Sequence, residues 1–117
     1  MRDWLALYLE EDLGPGDVTS EALFSPTHRG KARLVAREGA LVAGVRHAAE
    51  VFRRLGAAPS IVVPEGAWVE AGGVVLDVEG PTRAILGGER VALNILSRMS
   101  GIATQAHGLG EIGRAHV

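Results

Sequence analysis

Arg90, Asn94 and Arg98 recur every fourth residue within the segment from Glu89 to Thr104, Glu-Arg-Val-Ala-Leu-Asn-Ile-Leu-Ser-Arg-Met-Ser-Gly-Ile-Ala-Thr. That spacing brings all three to one face of a helix. Guanidinium groups on such a face suit carboxylate or phosphate oxygens, because the planar fork offers paired donors in fixed geometry. The other directions are taken by Val91, Leu93, Ile95, Leu96 and Met99, so the pattern predicts a helix buried almost all round. A polar stripe on a buried helix must meet a partner group, a ligand or a second chain. Arginines that snorkel to solvent from a core helix satisfy the same pattern.

Periodicity and chain breakers outline the elements that would carry this helix. Asp3 is placed to cap a first helix with Trp4, Leu5, Tyr8 and Leu9 on its apolar side, ended by Gly14-Pro15-Gly16. Asp17 and Thr19 suit a turn in which side chains bond nearby amides. Ala32, Leu34 and Ala36 alternate with Arg33, Val35 and Arg37 as in a half-exposed strand. A short buried strand at 41–43 leads through Gly44 to a helix marked by Ala48, Val51, Phe52 and Leu55 and stopped by Gly56. Short strands are predicted at 60–63, 68–69 and 74–79, separated by turns at Pro64-Glu65-Gly66 and Gly72-Gly73. The long helix then runs from about Gly88 to Ser100, with Gly101 as its stop. These elements describe an α+β fold, a small antiparallel sheet with helices on one face.

Composition narrows the function. A chain of 117 residues is one modest domain, short for an enzyme with its own substrate cleft. A net charge of -2 gives no electrostatic case for nucleic acid or an anionic membrane, and an aromatic share of 4% provides no base-stacking platform. Absence of cysteine removes disulfides and thiolate metal sites. No run reaches membrane-spanning length, and the start lacks the apolar core of a signal peptide, so a cytoplasmic setting is expected. Glu11, Asp12 and Asp17 lack the ligand density of a calcium loop, and Asp17 with Thr19 reads as a turn and capping group. His28, His47 and His107 stand apart and are expected at the solvated surface. Neither Gly14-x-Gly16 nor Gly72-Gly73 has the strand, third glycine and helix of a nucleotide-binding loop.

Three stretches, taken in order, carry a resemblance. Glu11-Asp-Leu-Gly-Pro-Gly-Asp-Val-Thr-Ser20, Glu38-Gly-Ala-Leu-Val-Ala-Gly44 and the segment from Glu89 to Thr104 closely resemble the motifs of the amino-terminal domain of the quinolinate phosphoribosyltransferases, the decarboxylating nicotinate-nucleotide pyrophosphorylases. The resemblance implies a hammerhead-like open-faced sandwich. It also implies an enzyme that condenses quinolinate with phosphoribosyl pyrophosphate, giving nicotinate mononucleotide, carbon dioxide and pyrophosphate in NAD biosynthesis. Most of that site belongs to a carboxy-terminal α/β barrel with a magnesium ion on the pyrophosphate. One arginine crosses from the amino-terminal domain of the neighbouring subunit of a homodimer or higher homo-oligomer. Arg90 matches that arginine, which makes it the substrate-binding candidate, a clamp on a quinolinate carboxylate. Glu89 is read as its orienting neighbour or a helix-start charge, and Asn94 as satisfying buried backbone or Arg90. No catalytic, cofactor or metal residue is assigned within the chain.

Other readings are compatible with parts of the pattern. A paralogue using nicotinate, or one associated with molybdenum transport, would share this domain. A non-enzymatic hammerhead interaction module is the alternative from another class. The turn from Pro64 to Gly72 resembles that of biotinyl and lipoyl carriers, yet Lys31, the only lysine, lies on a different strand.

The resemblance divides the chain into an amino-terminal domain at 1–104, the truncated start of a following helix at 105–110 and a non-native tail at 111–117, with the barrel absent. Glu111-Ile-Gly-Arg-Ala-His-Val117 coincides with the translation of a common short-read library adapter, so Arg114 and His116 receive no function. Sequencing the flanking DNA is expected to recover barrel motifs in place of that tail. The 117 residues alone should form no product from quinolinate and phosphoribosyl pyrophosphate, because catalysis needs groups prepositioned from two domains.

Overall fold

Strand alternation decides the architecture. The computed structural model describes residues 4–10 and 25–115, and their elements are β1 (Leu5–Glu10), β2 (Arg29–Ala36), β3 (Ala40–Leu41), α1 (Val45–Arg54), β4 (Ala58–Ile61), β5 (Trp68–Val69), β6 (Val74–Pro81) and α2 (Thr82–Ala115). An antiparallel sheet has the order β1-β2-β6-β4, and β3 and β5 form a second, two-stranded ladder. Leu5, Leu7 and Leu9 lie opposite Ala36, Leu34 and Ala32, while Leu34 and Ala32 lie opposite Leu76 and Val78. Residues paired in this way share a face, so one side of the sheet is apolar. Both helices cover it, and Phe52, Leu34, Leu76, Ile85 and Leu96 are fully buried at that junction.

The opposite face is open and laced with charge. Lys31 faces Glu79 and Arg33 faces Asp77 across β2 and β6, with Arg33 Nε 3.5 Å from Asp77 Oδ1. This is the solvated side that a one-sided antiparallel sheet presents. A register shift at Leu34/Val35 leaves Val75 as the extra residue of β6, and that residue is buried.

The sheet with helices on one face is as the sequence predicts; three local readings are corrected. Residues 5–10 form a strand, not a helix. Trp4, Leu5, Tyr8 and Leu9 do fit helical spacing, but Leu5, Leu7 and Leu9 also fit a period of two, and pairing with β2 selects that period. The long helix begins at Thr82 and passes through Gly101 to Ala115, so Gly101 is not its stop. Gly88 lies inside it for a packing reason, since a Cβ there would stand 3.0 Å from Phe52 Cδ1 and 3.1 Å from Leu55 Cδ1. Third, α2 is not covered all round, for Val91, Met99 and Ile102 are 49%, 40% and 71% exposed. Only one layer of sheet and one helix lie against it. Smaller shifts place the predicted strands at 41–43 and 60–63 at Ala40–Leu41 and Ala58–Ile61. The expected cap at Asp3, the motif from Glu11 to Ser20 and the turn of Asp17 and Thr19 lie outside the described residues.

Two glycines give opposite expectations in urea denaturation of the 117-residue chain. Gly44 has φ +87° and a Cβ there would meet Met99 Sδ at 2.7 Å, so Gly44→Ala should cost about 1–2 kcal/mol. Gly101 has nothing within 4 Å of a built Cβ, so Gly101→Ala should stabilise by roughly 0.5–1 kcal/mol through helix propensity.

Candidate functional site

Arg90, Asn94 and Arg98 are all exposed on α2. They line one hollow of about 530 Å³ with Leu5, Glu89, Leu93 and Ser97, so the sequence-predicted face is assembled. Among the described residues none of the three makes a hydrogen bond or ion pair, which corrects the reading of Asn94 as a satisfier of buried backbone or of Arg90. An exposed amide on the outer side of the helix has no buried backbone within reach. Glu89 is partly buried beside them and forms no ion pair with Arg90.

Of the other arginines in the described region, Arg33, Arg53 and Arg54 pair with acids. Arg54 and Arg53 lie 3.0 Å and 2.7 Å from the Glu50 carboxylate, and these hydrogen bonds, Arg54's first, hold the exposed Glu50 carboxyl below its usual range. Arg33 meets Asp77 on the open sheet face. A guanidinium sealed by an internal acid would have marked Arg90 as structural, but its side chain opens into the hollow instead.

What holds α2 in place is a set of hydroxyls that sequence reading did not single out. Ser100 Oγ accepts a bond from Ala43 N at 2.8 Å and donates one to Ala43 O at 2.9 Å. Thr104 Oγ1 accepts from Leu41 N at 2.9 Å. At the start of the helix, Thr82 Oγ1 lies 2.7 Å from His28 Nδ1, and Thr82 N donates to His28 O at 3.0 Å. The available signal was the spacing of Ser100 and Thr104, four residues apart in an apolar helix, because buried hydroxyls there require partners.

Histidine placement departs from the expectation of a solvated surface at two positions. His28 is half-buried and its Nε2 is fully enclosed without a hydrogen-bond partner, because the pairing of Arg29 with Pro81 brings it to the start of α2. His107 lies against the Trp68 ring, centroids 5.8 Å apart. His47 is exposed. Among the described residues no three His, Asp or Glu side chains gather as metal ligands, and no helix is long and apolar enough to cross a membrane.

Sheet, paired helices and exposed arginine face together define an α+β open-faced sandwich domain that presents cations from the outer side of its long helix. A family model described as "Quinolinate phosphoribosyl transferase, N-terminal domain" matches residues 17–100, and this chain belongs to that family. Among its relatives, a protein of Synechocystis named probable nicotinate-nucleotide pyrophosphorylase (carboxylating) is 42% identical over 103 residues, which are 86% of this chain and 35% of that protein. The pyrophosphorylase ModD of Rhodobacter capsulatus is 32% identical over 111 residues, covering 95% of this chain and 43% of that one. The crystal structure of NadC from Streptococcus pyogenes superposes with a TM-score of 0.66 at 32% identity, over 71% of this chain and 30% of that chain. The chain thus spans about a third of the length of the first curated relatives it matches.

If Arg90 and Arg98 face outward without a structural duty, Arg90→Ala and Arg98→Ala should each change folding stability by less than about 0.5 kcal/mol. A larger loss in denaturant titration would return them to the role of structural arginines.

Proposed function

We propose that this chain is the amino-terminal domain of a phosphoribosyltransferase that converts quinolinate and phosphoribosyl pyrophosphate to nicotinate mononucleotide, pyrophosphate and carbon dioxide, in NAD biosynthesis in the cytoplasm. Arg90 clamps a quinolinate carboxylate. The carrying observation is that Arg90 is exposed on α2 with no ion-pair partner among the described residues, within a chain of this family. Quinolinate and phosphoribosyl pyrophosphate are both anions and repel one another, so fixed cations must offset that repulsion where they meet. One helix face supplies a wall of such a site and not its enclosure. The other walls belong to a barrel domain, reached across the contact between copies in a homodimer or higher homo-oligomer. Magnesium, where the complete enzyme uses it, belongs with acids of that barrel. The described residues here offer no carboxylate cluster to fit it, so nothing in this reading runs through the metal.

The division of the chain follows the same reading in part: residues 1–104 are the domain and 111–117 are foreign to it, whereas 105–110 do not open a further helix, because α2 runs unbroken from Thr82 to Ala115. The similarity to ModD supports a second substrate assignment, a paralogue tied to molybdenum transport.

The test replaces the matching amino-terminal third of the Synechocystis relative with residues 1–104 of this chain. Such a chimera should turn over quinolinate, and Arg90→Lys should raise KM for quinolinate by about tenfold or more, because an ammonium cannot make the bidentate pair. Normal quinolinate binding in the Arg90→Lys chimera would remove the clamp. Turnover of a different pyridine carboxylate in preference to quinolinate would favour the paralogue.

A further inference from the structure

Ser100 and Thr104 lie in the most informative motif of the chain, yet neither faces the arginine hollow's cations. Their geometry assigns them a different task. Val42 spends its backbone groups on the neighbouring ladder, donating to Ala67 O at 2.9 Å and accepting from Gly66 N at 2.8 Å. Leu41 and Ala43, one residue to either side, therefore direct their amides the other way, toward α2. There the Thr104 hydroxyl takes Leu41 N, and the Ser100 hydroxyl takes both Ala43 N and Ala43 O. Ser100 is fully buried, so losing its hydroxyl would strand two main-chain groups away from water.

These bonds fix rotation as well as position. Arg90 is ten residues before Ser100, about 80° round the helix and about 15 Å along it. A group carried some 6 Å from the helix axis moves about 2 Å when the helix turns by 20°. Displacements of that size are costly where a ligand must be gripped in fixed geometry. Gly44 closes the device: its lack of a Cβ lets Met99 and Ile95 lie directly against the backbone beside Ala43.

We propose that Ser100, assisted by Thr104, is a positioning residue for Arg90, holding α2 at the one azimuth at which Arg90 faces the substrate. The proposal rests on the assignment of Arg90 as the quinolinate clamp. Two near-isosteric variants test it, Ser100→Ala and Thr104→Val, first by residual dipolar couplings of the α2 amides in the 117-residue chain. Those couplings should show α2 turned by at least about 10° relative to β2 and β6, with faster hydrogen exchange at Ala43 and unchanged protection at Leu34 and Leu76. Unchanged couplings in both variants overturn the proposal. In the active chimera, Ser100→Ala should raise KM for quinolinate by about tenfold and leave KM for phosphoribosyl pyrophosphate within about twofold. A loss of thermal stability with both KM values unmoved also overturns it, leaving the hydroxyls as structural groups. A chimera without turnover in which the couplings nonetheless shift would refute the proposed activity and not the rotational lock.

Discussion

A length of backbone can lie against a helix only if its amides and carbonyls find partners there, and the whole domain turns on how residues 41–43 meet that requirement. Two ladders cannot both be served by one short strand. Val42 goes to one side, and Leu41 and Ala43 go to the other, where α2 lies in place of a strand. Hydroxyls from α2 stand in for the missing strand. An apolar helix could bury equal area at the same place and would leave three main-chain groups unpaired, each costing about 1–3 kcal/mol. The polar residues in an otherwise greasy helix are therefore of two kinds, inward hydroxyls that satisfy backbone and outward arginines that satisfy nothing within the described fold.

That division explains why a helix without a clean amphipathic pattern has a single orientation. Hydrophobicity alone would let α2 turn on its bed, since apolar residues occupy both Leu96 on the covered side and Val91 and Ile102 on the uncovered side. Hydrogen bonds are directional and discriminate where apolar burial does not. The His28 and Thr82 contact does the same at the other end of the helix, and small residues at Gly44 and Gly88 allow the close approach that these bonds require. Positioning and stability are in this sense one set of contacts.

The open side of the domain has two faces of different character. The matched part of this chain is about a third of the length of its first curated relatives, and the uncovered face of α2 combines exposed aliphatic groups with two arginines that find no acid among the described residues. A solvated helix face is ordinarily rich in mixed charge. The outer sheet face fits that description, with cations of β2 opposite acids of β6. The outer helix face does not.

Much of this was legible in the residues. Alternation at 31–37, the helix of Ala48, Val51, Phe52 and Leu55, the punctuation at Gly56 and Gly72-Gly73 and the shared face of Arg90, Asn94 and Arg98 are local consequences of side-chain periodicity and backbone permission, and they needed no distant contact to be read. Residues 5–10 suit a helix and a strand alike because their leucines fit two periods at once, and only the β2 partner chooses between them. Gly101 reads as a stop for a related reason: glycine permits an ending without imposing one, and the helix is carried past it by Ser100 and Thr104, whose hydroxyls bond to Ala43 and Leu41, 57 and 63 residues away in sequence. Chain chemistry by itself thus determined which elements could form and which cations share a face. Tertiary structure alone decided which way that face points, because rotation about a helix axis is set by long-range hydrogen bonds whose partners local pattern does not name.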